Sequence, residues 1–338
     1  MSENKKETIG IILLNLGGPD SIQAVKPFLY NLFSDRRILK LGPSFLQKPL
    51  AWVISTIRSK HTEKLYNLIG GKSPIFDITA AQAKALEKAM TQQSNPPCPP
   101  LIKGGFTSFK VYVGMRYWHP FIDDVIPLMV RDGIRKIIAL SLYPQYSIAT
   151  SGSSIFKLKE AVKDYPLEIS YISSWFNHPL YIKALIDLIK KGIESFGQIT
   201  NDIHVLFSAH SLPQKFIDKG DTYVKETLGT IEEITKQIQI KWHLSYQSKS
   251  GPVKWLSPST EEKLRELARG GVKNVLVVPI SFVSDHIETL YEIDIFYKDM
   301  AERLGMTLKR TDSLNIHPVF ISALKDIVRS DLKKAGWD

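Results

Sequence analysis

Residues 273–294 read KNVLVVPISFVSDHIETLYEID. From Asn274 to Ile280 the chain is almost unbroken Val, Leu and Ile with one Pro. That is the composition of a strand buried on both faces of a parallel sheet. Charge then arrives within a few residues as Asp285, His286, Glu288, Glu292 and Asp294, on a segment that continues as a helix. In open α/β sheets, ligands bind just past the carboxyl ends of the strands, so ionisable groups concentrated here mark a candidate site. A purely structural reading competes. Asp285 and Glu288 have the spacing of a capping box, with Asp in place of Ser or Thr, and acidic residues suit a first turn. Capping does not account for His286 between them.

Working outward, the same pattern recurs. Arg131–Leu140 (RDGIRKIIAL) matches Arg269–Val278 (RGGVKNVLVV), each a helix end, a glycine, a basic residue and an apolar strand. Ile9–Pro19 (IGIILLNLGGP) corresponds more loosely to Ile203–Pro213 (IHVLFSAHSLP). The echo predicts an α/β protein with two similar Rossmann-like domains, each a parallel sheet flanked by helices. The expected boundaries are 8–174 and 175–314, with 315–338 as a terminal helix packing back on the first domain.

The 338 residues, 43% of them hydrophobic, suffice for two cores. Lys and Arg number 44 against 34 Asp and Glu, a net charge of +10 that favours acidic partners. No stretch is basic and aromatic like an RNA-binding sheet, and no Lys/Arg run reads as a DNA-binding arm, so nucleic acid is set aside. The one cysteine, Cys98, has no intrachain partner and points to a reducing compartment. The N-terminal MSENKKET lacks the form of a signal peptide, and no apolar run reaches the ~18 residues that span a bilayer. The expected location is cytoplasmic, with at most peripheral contact at the inner membrane face.

Other stretches carry weaker signals. Gly17-Gly18-Pro19 is a tight turn rather than a dinucleotide fingerprint, and no phosphate-binding loop is present. In residues 44–60, Leu46, Leu50, Val53, Ile54 and Ile57 form one helical stripe, widened by Phe45 and Trp52. Such a stripe packs on its own core or dips into a lipid headgroup region. The Pro-rich span 93–106 reads as an insertion without chemistry. Met115–Pro120 puts an Arg, two aromatics and a His at a strand end, where a flat anionic ligand would fit. Residues 143–154 are rich in hydroxyls and aromatics, and 242–255 read as turn-rich. His210, in the loop leaving a strand, is a candidate base or metal ligand.

Taken together, LNLGGP (14–19), IGGKSP (69–74), YVGMRYWHP (112–120), YPQYS (143–147), FSAHSLP (207–213), WLSP (255–258) and SDHIETLYEID (284–294) resemble ferrochelatase. That family inserts ferrous iron into a porphyrin to make haem. The resemblance implies two α/β domains with the porphyrin cleft between them. It implies that His210 and Glu288 face each other across the cleft as catalytic residues and metal contacts. His210 would serve proton abstraction and Glu288 proton or metal relay. Glu292, one turn on, would extend that path, whereas Phe296 stands where many relatives place another acid. Leu16, Tyr66, Arg116, Tyr117, Ser141, Tyr143, Trp255 and His286 would bind substrate, Arg116 through its propionates. Residues 44–60 would be the lip of the cleft, in peripheral contact with a membrane. Iron enters as a substrate, no cofactor is held permanently, and the C-terminal cysteines of iron–sulfur relatives are missing.

The activity so implied is insertion of Fe(II) into protoporphyrin IX, with release of two protons, as the last step of haem biosynthesis. Insertion into coproporphyrin III is the nearest alternative. A non-catalytic haem- or metal-binding protein is the alternative of a different class. A nucleotide-dependent transferase is disfavoured by the missing phosphate loop.

Overall fold

The computed structural model describes residues 8–91, 108–197, 202–249, 251 and 253–337. The Pro-rich span 93–106, with Cys98, lies outside them. In the first half, β1 (Thr8–Asn15) leads through α1 (Val25–Ser34), α2 (Gln47–Leu68) and α3 (Ile75–Thr91) to β2 (Ser108–Met115). Then come α4 (Ile122–Arg131), β3 (Lys136–Ser141), α5 (Ser151–Val162) and β4 (Glu168–Ile172). Helix α6 (Pro179–Glu194) crosses to the second half, which opens with β5 (Ile203–His210), α7 (Gln214–Asp218), α8 (Tyr223–Thr235), β6 (Lys241–Gln247) and α9 (Thr260–Arg269). It continues with β7 (Asn274–Pro279), a π-helix (Glu288–Tyr297), α10 (Lys298–Arg303), β8 (Thr307–Arg310) and α11 (Pro318–Ala335).

Each half holds one four-stranded sheet, in the orders β2-β1-β3-β4 and β6-β5-β7-β8. All neighbouring pairs are parallel. The sequence echoes fall on equivalent strands, β3 with β7 and β1 with β5. These central strands are nearly wholly buried, as their continuous apolar runs require. Two edge strands escape the sequence reading. Residues 242–255 read as turn-rich, yet Lys241–Gln247 (KWHLSYQ) is strand β6. An edge strand has solvent along one side and so tolerates polar residues. Strand β8 is four residues long and carries two bases for the same reason.

The two sheets share one core. Ile11, Leu13 and Leu140 of the first sheet and Phe207, Leu276 and Val278 of the second pack in a single cluster around α6 and α11. Phe320 of α11 is fully buried within it, and burial of such a side chain contributes about 1.5–3 kcal/mol. Pro318 opens α11 in its first turn, and Gly336, at φ 68°, ends it in the left-handed conformation. Helix α11 packs on α3, β3 and β4 of the first half and on α6.

Helix α2 buries only part of its apolar stripe. The buried face is Gln47, Ala51, Ser55 and Ser59, spaced four apart. Of the apolar stripe, Leu46, Val53 and Ile57 face out beside Phe45 and Trp52, with Phe45 75%, Ile57 72% and Trp52 56% exposed, while Leu50 and Ile54 are half-buried and Ile54 packs on the cluster around α1. Small side chains let α2 approach α1 closely. The Ser55 and Ser59 hydroxyls satisfy themselves on the helix's own carbonyls of Trp52 and Thr56. The reading in which this stripe packs on its own core therefore holds for Ile54 and not for Leu46, Val53 and Ile57.

Candidate active site

The central strands of both sheets end at one cleft. β1 delivers Leu16, β3 Tyr143, β5 His210 and Leu212, and β7 Ser281 and Phe282. The cleft encloses about 690 Å³ including its open mouth. The Gly17–Gly18 turn shapes one wall. Gly17 has φ 84°, and a Cβ on Gly18 would lie 2.5 Å from Ser73 Oγ.

His210 stands at the end of β5, its side chain 33% exposed, with Nδ1 2.8 Å from Glu288 Oε2. Its backbone is fixed at both ends of the peptide unit. Its N–H donates to Ser281 Oγ at 3.2 Å, and Tyr223 Oη donates to its carbonyl at 2.9 Å. Burial alone would lower the His210 pKa, but the Glu288 carboxylate and its hydrogen bond raise it above the ordinary value. Conversely, burial would raise Glu288, but the His210 charge and hydrogen bond pull it down to about 2. The pair therefore favours imidazolium beside carboxylate.

Glu288 is also joined to Glu292. Ser248 Oγ lies 2.7 Å from Glu288 Oε2 and 2.6 Å from Glu292 Oε2. A hydroxyl has one proton to give, so both contacts are hydrogen bonds only when a carboxyl carries a second proton. Glu292 is the group that holds it: burial and the Glu288 charge push its pKa up to about 7. Gln247 Nε2 donates to the Glu288 carbonyl at 3.0 Å and to Glu292 at 3.2 Å, while Ser208 Oγ donates to Gln247 Oε1 at 2.6 Å.

The capping-box reading of Asp285 and Glu288 fails. The Asp285 N–H donates to Asn315 Oδ1, and Glu288 turns inward to His210. The helix that follows winds in π rather than α turns, a rare geometry found often at functional sites. His286 is buried, its Nδ1 3.0 Å from the Ser284 carbonyl and its Nε2 3.9 Å from Glu288 Oε1. Burial lowers its pKa. A neutral His286 therefore donates from Nδ1 and leaves Nε2 as an acceptor beside Glu288.

Among the residues expected to bind substrate, Leu16, Tyr143 and His286 line the cleft. Others lie behind its wall. Ser141 is fully buried against the Ser151 hydroxyl. Tyr117 is 1% exposed, and its hydroxyl donates to Asp35. Arg116 also binds Asp35, at 2.6 Å, and donates through Nε to Ser153; these contacts take Nη2 and Nε away from any substrate. Tyr66 is buried, raised in pKa first by burial and then by the Glu288 charge, which places it within electrostatic reach of the pair. Trp255 pairs through its backbone with Pro213 in the β5 exit loop, and its buried indole N–H has no hydrogen-bond partner among the described residues. The sequence reading missed Ser248, Gln247, Tyr223 and Ser281. Ser248 sits at φ 65°, uncommon for a residue other than glycine, but no spacing in the sequence announces it.

A family model described as Ferrochelatase matches residues 8–332. A Ferrochelatase from Geotalea uraniireducens (strain Rf4) is 48% identical over 326 residues, which cover 95% of this chain and 97% of that relative. A Ferrochelatase from Geobacter metallireducens is 47% identical over 334 residues, covering 98% of this chain and 99% of the relative. Among solved structures, SirB from Bacillus subtilis with Fe3+ superposes with a TM-score of 0.57 at 10% identity, covering 98% of this chain and 99% of that one. That likeness concerns the fold.

Proposed function

The chain belongs to the ferrochelatase family, and we propose that its cleft inserts Fe(II) into protoporphyrin IX, giving protohaem and two protons, at the His210–Glu288 pair. The observation that carries the reading is the short contact between His210 and Glu288, continued by one hydroxyl to Glu292. Metalation must strip two protons from pyrrole nitrogens while iron approaches the same nitrogens. Neutral imidazole and carboxylate suit both tasks, as bases and as ligands for Fe(II). With Nδ1 engaged by Glu288, His210 Nε2 is the nitrogen left for substrate. In its neutral form it takes a pyrrole proton, the Nδ1 proton moves to Glu288, and, once Glu292 has released its own proton to solvent, Ser248 passes the proton from Glu288 on to Glu292. The sequence runs again for the second proton once the imidazole has returned to its Nδ1–H tautomer by proton exchange with solvent. Iron is the cargo here and not a resident cofactor. Among the described residues no three His, Cys, Asp or Glu side chains gather to hold a metal, so the porphyrin nitrogens complete the coordination.

Ser248→Ala is expected to lower kcat by about 10²-fold, the low end for a positioned proton-transfer group, with the porphyrin KM little changed. Stopped-flow absorbance at the Soret band measures both. The overall reading is tested anaerobically with Fe(II) and protoporphyrin IX in one cuvette and coproporphyrin III in another. Multiple turnovers with protoporphyrin support it. Turnover with coproporphyrin alone would move the substrate, and binding without turnover would remove the enzyme assignment.

The outward stripe of α2 and the residues just before it suit an anionic membrane surface on the cytoplasmic side. Phe45, Trp52 and Ile57 project beside exposed Lys48 and Lys60. No helix among the described residues is long and apolar enough to cross a membrane. Trp52→Glu with Ile57→Glu is expected to abolish cosedimentation with phosphatidylserine vesicles while sparing metalation in solution. Equal sedimentation of variant and wild type would end the proposal.

A further inference from the structure

A ten-residue run of π turns, Glu288–Tyr297, is unusual, since such turns mostly occur singly within α-helices. No side chain caps its N-terminus. Besides the His210, Gln247 and Ser248 contacts to Glu288 and Glu292, one side chain on the neighbouring edge strand grips it from outside. Arg310, at the end of β8, donates from Nε and Nη2 to the two carboxylate oxygens of Asp294, at 2.8 and 2.7 Å. Its Nη1 donates to Asp285 Oδ1 at 3.0 Å, and also to the Thr311 carbonyl and Ser313 Oγ. One guanidinium thus ties the loop before the helix to a point in the helix's second half. The Arg310 side chain is 11% exposed, Asp285 18% and Asp294 36%, so the Asp285 arm of the tie is made largely out of water and the Asp294 arm is partly wet.

Asp285 is held in turn from three directions besides. Ser313 Oγ, Asn315 Nδ2 and Thr289 Oγ1 all donate to its carboxylate, at 2.7, 2.8 and 3.0 Å. Thr289 is the residue next to Glu288. The clamp therefore sets the start of the helix, while Asp294 sets its rotation two residues beyond Glu292. In an α-helix each residue turns by about 100°, and a wider π turn rotates less. Glu288 and Glu292, four residues apart, share a face in either winding, whereas the angle at which Asp294 departs from that face is set by the wider turn.

We propose that Arg310 is a positioning residue for metal insertion: its fork on Asp285 and Asp294 anchors the helix against β8 and so holds Glu288 and Glu292 at the distance from which both reach the same hydroxyl. The inference rests on the reaction assigned above and touches no substrate atom itself. Lys cannot replace the fork, because an ammonium is a single point charge and the planar guanidinium is already spending all three nitrogens.

The test is Arg310→Met, with Arg310→Lys beside it, in anaerobic metalation and in hydrogen exchange followed by mass spectrometry. For Arg310→Met, kcat is expected to fall about 10²-fold, as for a misplacement of about 1 Å, with the porphyrin KM within about twofold. Amides of residues 288–297 should exchange faster while those of β5 and β7 keep their protection. Arg310→Lys should resemble Arg310→Met more than the wild type. A wild-type kcat in Arg310→Met, or a fall in kcat with no change in exchange at 288–297, overturns the proposal. If Arg310→Met does not fold, Asp294→Asn decides, with a fall on the order of tenfold and the same local exchange expected. Unaltered kcat and exchange there overturn it. A wild-type protein without insertion activity would count against the assigned reaction, and the exchange comparison would still report on the clamp.

Discussion

His210→Ala is expected to lower kcat for iron insertion by about 10³- to 10⁴-fold, the upper range for loss of a positioned base. The His210 imidazole, at the cleft, can accept a pyrrole proton, donate it onward to Glu288 and offer a nitrogen to Fe(II). Binding of porphyrin should survive, because the walls are built by Leu16, Tyr143, Leu212 and Phe282, which the change leaves in place. Quenching of porphyrin fluorescence measures that binding, and anaerobic Soret spectroscopy measures turnover. The substitution also strands Glu288, which is 15% exposed. Its depressed pKa depends on His210, so without the imidazole it moves up and the carboxyl protonates more easily. Near-normal turnover in His210→Ala would remove the histidine from the mechanism.

Glu288→Gln has a second large effect, this time on pH dependence as well as rate. Proton abstraction needs neutral His210, so the rate rises with pH as the imidazolium titrates. In the wild type the Glu288 charge raises the His210 pKa against the lowering effect of burial. Removing the charge leaves burial in command, so the pKa falls and the rising limb moves to lower pH. The plateau should drop by about 10²-fold or more, since the relay to Ser248 is cut. Glu292 responds in the same direction, because the Glu288 charge is one of the two causes that push its pKa up to about 7. Single-turnover rates across pH, with saturating porphyrin, separate the shift from the loss of plateau. A limb at the same pH in both proteins would show that the pair is not coupled.

The two halves of the fold were readable because parallel central strands are buried on both faces and leave continuous apolar runs, as in Ile9–Leu16 and Asn274–Pro279. Edge strands leave no such mark. Lys241–Gln247 needs to satisfy only one neighbour, and its sequence could pass for a loop. Helix α2 misled for another reason. Apolar periodicity identifies a buried face only when the outer face meets water, and here Gln47, Ala51, Ser55 and Ser59 make the inner face because small groups pack closest. At the site, His210 and Glu288 were legible from the loops that carry them. Ser248 and Tyr223 were not, since their roles come from contacts across 40 and 58 residues, Ser248 to Glu288 and Tyr223 to Ser281. Arg116 shows the limit of carrying a role over from a resemblance: its strand-end position was right, but Asp35, on the loop after α1, takes much of its guanidinium.

The most direct test of the His210–Glu288 pair is an NMR titration of the His210 imidazole nitrogens, in the wild type and in Glu288→Gln. The account predicts a wild-type pKa above the ordinary value of about 6.5 for histidine and a value below it in the variant. A wild-type value at or below the ordinary one, unmoved by the substitution, would contradict it.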